Sequence, residues 1–313
     1  DQPRSRGLGD VYKRQVNEEN KIIGRITIPT DLTVPYQTLV ERMADAVRQM
    51  LENAGMTLEQ CGGIGIGSPG TIDAKQGVIL YSNNFGWENV PIVEELKKHL
   101  DTRIEIANDA DAAALGEVCA GAAEGAENAV LLTLGTGVGS GVILDKKIFR
   151  GAMPGGCELG HLSIRYDGIR CTCGRKGCLE AYASASALLR IAREKAAEHP
   201  ESIMNEMCGN DLEQMNGKIP FDAAKAGDEA GMETVKEYEG YLACGIANVI
   251  NTFRPEKVIL GGGVAAQKDN LTAPLKDLVK DMCFGGSHGH IADIVTSVLG
   301  NDAGIIGAAN LVV

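Results

Sequence analysis

The chain has 313 residues, 44% hydrophobic and 23% charged, with 40 glycines, a composition that suits one large or two ordinary globular domains and excludes a disordered or fibrous protein. Its net charge of −12 repels a phosphate backbone, so nucleic-acid binding is not expected. The longest weakly polar stretch, 129–144, is broken by glycines and threonines, and 1–15 lacks the apolar centre of a secretory signal, so no membrane span is expected and a cytoplasmic protein is.

In chain order, 21–29 alternates like a strand, and 35–53 places Leu39, Met43, Ala46, Val47, Met50 and Leu51 on one helical face, with Gly55 as its stop. Short strands follow at 63–67 and about 78–81, then a helix from about Pro91 and a strand at 103–107 that feeds a helix from Asp109. A second cycle opens at Ala129 with strand, glycine-rich turn and strand, and a short strand over 147–150. Helices are predicted at 185–198 and 229–253, an irregular loop with partial helix at 200–220, and a buried strand at 257–260 that runs into Gly261-Gly262-Gly263. A helix over 270–282 and a strand over 291–299 complete the chain. The alternation predicts an α/β protein, and the two similar halves suggest a duplicated two-domain architecture with a cleft between the domains. The boundaries expected are a small N-terminal domain over 1–113, a large domain over 114–302, and a helix in 303–313 that returns to the first.

Four groups of residues carry chemistry. Gly135-Thr136-Gly137-Val138-Gly139-Ser140-Gly141 lies between two strands, either as a cradle whose N–H groups meet a phosphate or as a tight hairpin whose glycines supply positive φ. No Gly-Lys-Ser/Thr follows, so it is not a Walker A loop. Gly261-Gly262-Gly263 after a buried strand is a second place for a nucleotide to meet backbone. His161, Cys171, Cys173 and Cys178 give H-x9-C-x-C-x4-C, the donor set of a closed Cys3His zinc site, and Gly174-Arg175-Lys176-Gly177 makes the segment a polar knuckle rather than a core strand holding reduced cysteines. Four protein ligands leave no open position, so such a metal is structural. Asn108-Asp109 ends a strand and opens a helix, where Asp109 is either a ligand-facing acid or the helix N-cap. Glu158 and Glu180 flank the knuckle and, taken singly, read as solvated acids.

Taken together, Gly155-Gly156-Cys157-Glu158-Leu159-Gly160-His161 followed by Cys171-Thr172-Cys173-Gly174-Arg175-Lys176-Gly177-Cys178-Leu179-Glu180 resembles the GxExGH and CxCGxxGCLE signatures of the ROK family of sugar kinases and repressors. Gly67-Ser68-Pro69-Gly70, Asn83 with Gly86-Trp87, Asn108-Asp109, the 135–141 loop and 261–264 match family motifs in the same order, and the details look most like the ATP-dependent glucokinases. The resemblance implies the actin/hexokinase-like (ribonuclease H-like) duplicated fold, with ATP and a hexose in the cleft. It further implies Asp109 as general base toward the sugar 6-hydroxyl, with Asn83, Asn108, Glu158, His161 and Glu180 hydrogen-bonding sugar hydroxyls. Gly135, Thr136, Gly137, Gly139, Gly261, Gly262 and Gly263 are implied as the nucleotide's backbone contacts, with Mg²⁺ accompanying ATP, structural Zn²⁺ in the knuckle, and a homodimer.

The sequence departs from the family at its start, where an Asp-x-Gly-Gly-Thr phosphate loop is expected. The match begins at about Val16, while 1–15 shows no strand periodicity and Gly7-Leu8-Gly9-Asp10 is not a substitute, so this segment reads as a foreign start and activity of the chain as written is expected to be weakened. The leading expectation is phosphorylation of glucose to glucose 6-phosphate, a step of carbohydrate metabolism and glycolysis. Kinases for N-acetylmannosamine, N-acetylglucosamine, fructose or allose are the alternatives, with a non-catalytic sugar binder as a different class. A repressor would need a helix-turn-helix domain before the sugar domain. His288-Gly289-His290 reads as a surface loop, and Cys61, Cys119, Cys208, Cys244 and Cys283 as small buried hydrophobes. An odd cysteine count in a chain this large argues against a disulfide framework.

Overall fold

A computed structural model describes residues 11–289 and 291–313; Gly7-Leu8-Gly9-Asp10 and His290 lie outside them. The described residues form two compact units, one of 11–125, 147–157 and 301–313, the other of 126–146, 158–289 and 291–300. The first therefore runs past the expected boundary at 113 and regains the chain end.

In the first unit, β1 (Val11–Val16) pairs antiparallel with β2 (Ile22–Ile28), from Val11 opposite Ile28 to Val16 opposite Ile22. This corrects the expectation of no strand before Val16. The polar run Lys13-Arg14-Gln15 hides the strand from apolar periodicity, and the backbone ladder to β2 forms it nonetheless. Helix α1 (Tyr36–Ala54) buries Leu39, Val40, Met43, Ala44, Ala46, Val47, Met50 and Leu51, the expected face, and Gly55 ends it with φ 64°. Strand β3 (Ile64–Ser68) is followed by β4 (Thr71–Asp73), β5 (Val78–Ser82) and β6 (Trp87–Val90), which form a small antiparallel sheet. The sequence signals neither β4 nor β6, because three and four residues are too few to show a period. After α2 (Ile92–Lys97), β7 (Ile104–Asn108) pairs parallel with β3 so that Ser68 and Asn108 end level, and α3 (Asp109–Ala120) leaves from that edge.

The C-terminal helix, Ala303–Ala309, packs on α3 and β3 through glycines. A Cβ on Gly307 would collide with the Ala112 carbonyl, one on Gly116 with that of Ala303, and one on Gly65 with that of Ala308. Close backbone approach, rather than side-chain interdigitation, thus sets the backing of the edge that carries Asn108 and Asp109.

In the second unit, β8 (Ala129–Leu134) and β9 (Val138–Leu144) form an antiparallel hairpin. Next, β10 (Lys147–Ile148) falls with the first unit. Helices α4 (Glu180–Ala183) and α5 (Ala185–Glu198) precede α6 (Ile203–Met207) and α7 (Ile219–Lys225). Of these, α6 lies in the segment expected to be an irregular loop with partial helix, and α7 begins at its end. Asp228 fixes the start of α6 by accepting from the Ser202 hydroxyl at 2.8 Å and the Ile203 N–H at 3.0 Å, while also capping α8 (Glu229–Phe253) at the Gly231 N–H, 2.8 Å. Strand β11 (Lys257–Gly261) runs parallel to β8 and, after α9 (Asp269–Met282), to β12 (Asp293–Thr296), giving the order β9-β8-β11-β12. Val130, Leu131, Leu132, Val258, Ile259 and Leu260 are all buried, as expected for central strands covered on both faces. Strand β12 is shorter than the predicted 291–299. Among the described residues no helix is long and apolar enough to cross a membrane.

Candidate functional site

Parallel strands bring two turns level in the first unit. Asn108, at the end of β7, caps α3: its Oδ1 accepts the Ala110 N–H at 2.8 Å and the Asp111 N–H at 3.4 Å, and its Nδ2 donates to the Gly70 carbonyl at 3.1 Å. The cap is therefore Asn108 and not Asp109, which leaves Asp109 as the first helical residue. Its surface is open to solvent, yet the surrounding protein withdraws enough water to push the carboxyl above its ordinary value, an effect opposed by the Ala110 N–H at 2.9 Å. Gly70, with φ 116°, presses against the Tyr81 carbonyl and Ser82, so the turn that begins at Asn83 lies beside the same edge. Asn83 is exposed and accepts from the Tyr81 hydroxyl at 3.4 Å.

In the second unit the two glycine segments follow neighbouring parallel strands. Gly261 stands opposite Thr133, and a Cβ on Gly262 (φ 82°) would lie 2.5 Å from the Leu134 carbonyl, just before Gly135. Such C-terminal strand ends are where α/β sheets bind ligands. The 135–141 segment is a hairpin, but none of its glycines takes positive φ. Gly139 sits within β9 opposite Thr133, and Gly135, Thr136 and Gly137 form the connection.

The Cys/His cluster gathers as its spacing predicts. Nδ1 of His161 and the thiols of Cys171, Cys173 and Cys178 all lie within 4.8 Å of one another, the one such group found among the described residues. Cys171 Sγ is 3.7 Å from His161 Nδ1, and the Cys173 and Cys178 sulfurs are 3.7 Å apart. Donors held about 2.3 Å from one centre at tetrahedral angles stand about 3.7 Å apart, so the spacing fits a zinc-sized ion and is far too long for a disulfide. Bridges Ser163↔Cys178 and Arg170↔Lys176 fold the knuckle, and Gly177 (φ 79°) packs directly under the Arg165 carbonyl. Burial and the neighbouring thiols push Cys178 up to about 12, burial raises Cys171, and the Arg175 N–H lowers exposed Cys173. Three crowded thiols resist joint ionisation unless a cation joins them. His288 lies in an exposed turn. None of the nine cysteines forms a disulfide, and Cys61, Cys119 and Cys244 are only half-buried, where buried hydrophobes were expected.

Glu180 opens α4 and connects the knuckle to the glycine loop. Its Oε2 accepts the Val138 N–H at 3.1 Å, and its Oε1 accepts from the Thr172 hydroxyl at 3.1 Å and the Cys171 thiol at 3.4 Å. Two further bonds tie the loop to the start of α5, from the Ala185 N–H to the Gly135 carbonyl at 2.8 Å and from the Ser186 hydroxyl to the Thr136 carbonyl at 2.9 Å. Glu158 is exposed and precedes the 3₁₀ turn Leu159–His161, held by the Leu159 N–H donating to Ser140 Oγ at 2.9 Å. Ser140, Thr172 and Ser186 carry no sequence signal of their own; only the contacts reveal them. Asn83, Asn108 and Asp109 belong to the first unit, and the other candidate residues to the second.

The ROK family model matches residues 15–313. A glucokinase of Thermotoga maritima is 36% identical over 298 residues, covering 95% of this chain and 92% of that protein. A xylose repressor of Caldicellulosiruptor bescii is 30% identical over 248 residues, 79% of this chain and 62% of the repressor. The crystal structure of a ROK family glucokinase from Streptomyces griseus, in complex with glucose and AMPPNP, superposes with a TM-score of 0.77 at 30% identity, covering 97% of this chain and 96% of that one. The α/β architecture is thus shared with ROK kinases, and by sequence as by fold this chain belongs to the ROK family.

Proposed function

We propose that the chain is an ATP-dependent hexose kinase that converts glucose to glucose 6-phosphate. The observation that carries the reading is Asp109: an open carboxylate, made more basic by its surroundings, fixed at a strand end by the Asn108 cap in a chain 36% identical to a glucokinase. In this reading Asp109 takes the proton from the sugar 6-hydroxyl as that oxygen attacks the γ-phosphorus and ADP departs. Asn83, Glu158, His161 and Glu180 orient the sugar through hydroxyl hydrogen bonds, and Asn108 contributes while holding Asp109 in place. His161 turns Nδ1 to the cysteines, which leaves Nε2 for the sugar.

The backbone at Gly135, Thr136 and Gly137, with the Gly261-Gly262-Gly263 turn, receives the phosphates, whose charge Mg²⁺ partly neutralises. His161, Cys171, Cys173 and Cys178 hold zinc as a structural cross-link between the two ends of the knuckle. Binding without catalysis is the second reading, favoured by the match to a xylose repressor.

ADP release measured with Mg-ATP and a panel of hexoses and N-acetylhexosamines separates the two. Glucose-dependent ADP release abolished in Asp109→Asn supports the kinase. Sugar binding with no ADP release sinks it, and preference for another sugar corrects the substrate.

A further inference from the structure

We infer that Thr172, the residue between the first two knuckle cysteines, is a positioning residue that aims the Glu180 carboxylate and so couples the knuckle to the glycine loop. Glu180 is a bridge with two ends. Oε2 takes the Val138 N–H at 3.1 Å, on the first residue of β9, while Oε1 takes the Thr172 hydroxyl at 3.1 Å. The carboxylate has displaced any side chain at position 137, since a Cβ there would collide with Oε2.

The Cys171 thiol also reaches Oε1, at 3.4 Å, but the Thr172 hydroxyl, at 3.1 Å, is the closer donor. It is the oxygen donor that the knuckle directs at Glu180. A carboxylate tied at one oxygen only swings about its last torsion, and the second tie fixes both the Val138 N–H and whatever Glu180 offers a ligand. Because Ala185 and Ser186 clamp Gly135 and Thr136 from the next turn of chain, a shift of Glu180 is passed directly to the loop. The effect on sugar affinity rests on the kinase reading above; the tie itself does not.

The test compares wild type with Thr172→Val, which keeps the shape and loses the hydroxyl, and Thr172→Ser, which restores it. Amide hydrogen exchange of the 134–141 segment, zinc content and steady-state kinetics are measured on each. The expected result is exchange at Val138 faster by about fivefold in T172V, with zinc content unchanged, sugar KM up about fivefold and kcat within about twofold, and T172S returning both to wild type. Unchanged exchange at 134–141 in T172V overturns the inference whatever the kinetics, and so does loss of zinc, which would make Thr172 a support of the knuckle itself. Faster exchange rescued by T172S in a chain that phosphorylates no sugar upholds the tie and overturns the kinase reading instead.

Discussion

Glu239 carries a pH dependence of stability that its position in α8 makes calculable. It is 6% exposed, with Leu242, Ala243 and Ile246 buried on the same helical side, and its Oε1 is buried without a hydrogen-bond partner. Burial pushes its carboxyl up to about 7. Below the unfolded value of 4.5 the group is protonated in both states and costs nothing. Between 4.5 and about 7 the unfolded chain loses the proton that the folded chain keeps, so stability falls as pH rises through this window. Above it the loss is constant at about 3 kcal/mol, because each pH unit across the window removes about 1.4 kcal/mol. Glu239→Gln keeps the shape without the charge. Urea unfolding followed by circular dichroism should therefore give equal stabilities for the two proteins near pH 4.5, and an advantage for E239Q that grows to about 3 kcal/mol at pH 8. A difference that does not vary with pH would refute the reasoning, because only a proton held differently in the two states produces the slope.

Three other outcomes follow from the same contacts. Purified protein should contain about one zinc per chain by metal analysis, and Cys178→Ser should bring it near zero with a lowered unfolding midpoint, since Cys178 is the fully buried corner of the cluster. Asp109→Asn should lower kcat by about 10²- to 10⁴-fold in the ADP-release assay, with sugar KM changed by no more than a few-fold. Gly307→Ala should destabilise the first unit by about 1–3 kcal/mol, read by the fluorescence of its single tryptophan, Trp87, because the new methyl meets the Ala112 carbonyl of α3.

What the sequence made legible was what repeats or what chemistry spaces closely. Helix α1 declared its buried face through a 3.6-residue period, α5 and α8 declared both ends, and the knuckle declared its ligands because three cysteines and a histidine have few other uses at that spacing. Strand β1 was hidden because its pairing is a backbone property and the polar run Lys13-Arg14-Gln15 breaks any alternation in its sequence. Within 200–220, read as irregular with partial helix, the position of α6 was hidden because the helix is short and its start is anchored from outside by Asp228. The role of Asp109 stays open in the sequence, since both Asn and Asp suit a cap and only the backbone shows that Asn108 precedes the first helical turn.

The glycine loop shows why function is harder to read than fold. Letter for letter, Gly137 and Gly262 look alike, and turn chemistry explains either by positive φ. Only Gly262 has it, at φ 82°, whereas Gly137 is glycine because the Glu180 carboxylate occupies the space of a Cβ. That reason depends on a residue far along the chain, and no local pattern contains it. The same contact ties the loop's shape to the knuckle, so Thr172, Glu180 and the Val138 N–H stand in one chain of hydrogen bonds beside the His161, Cys171, Cys173 and Cys178 cluster. A metal held by those four residues would act on ligand affinity without touching a ligand, its effect reaching the loop as a change in the free energy of holding the Glu180 carboxylate in one orientation.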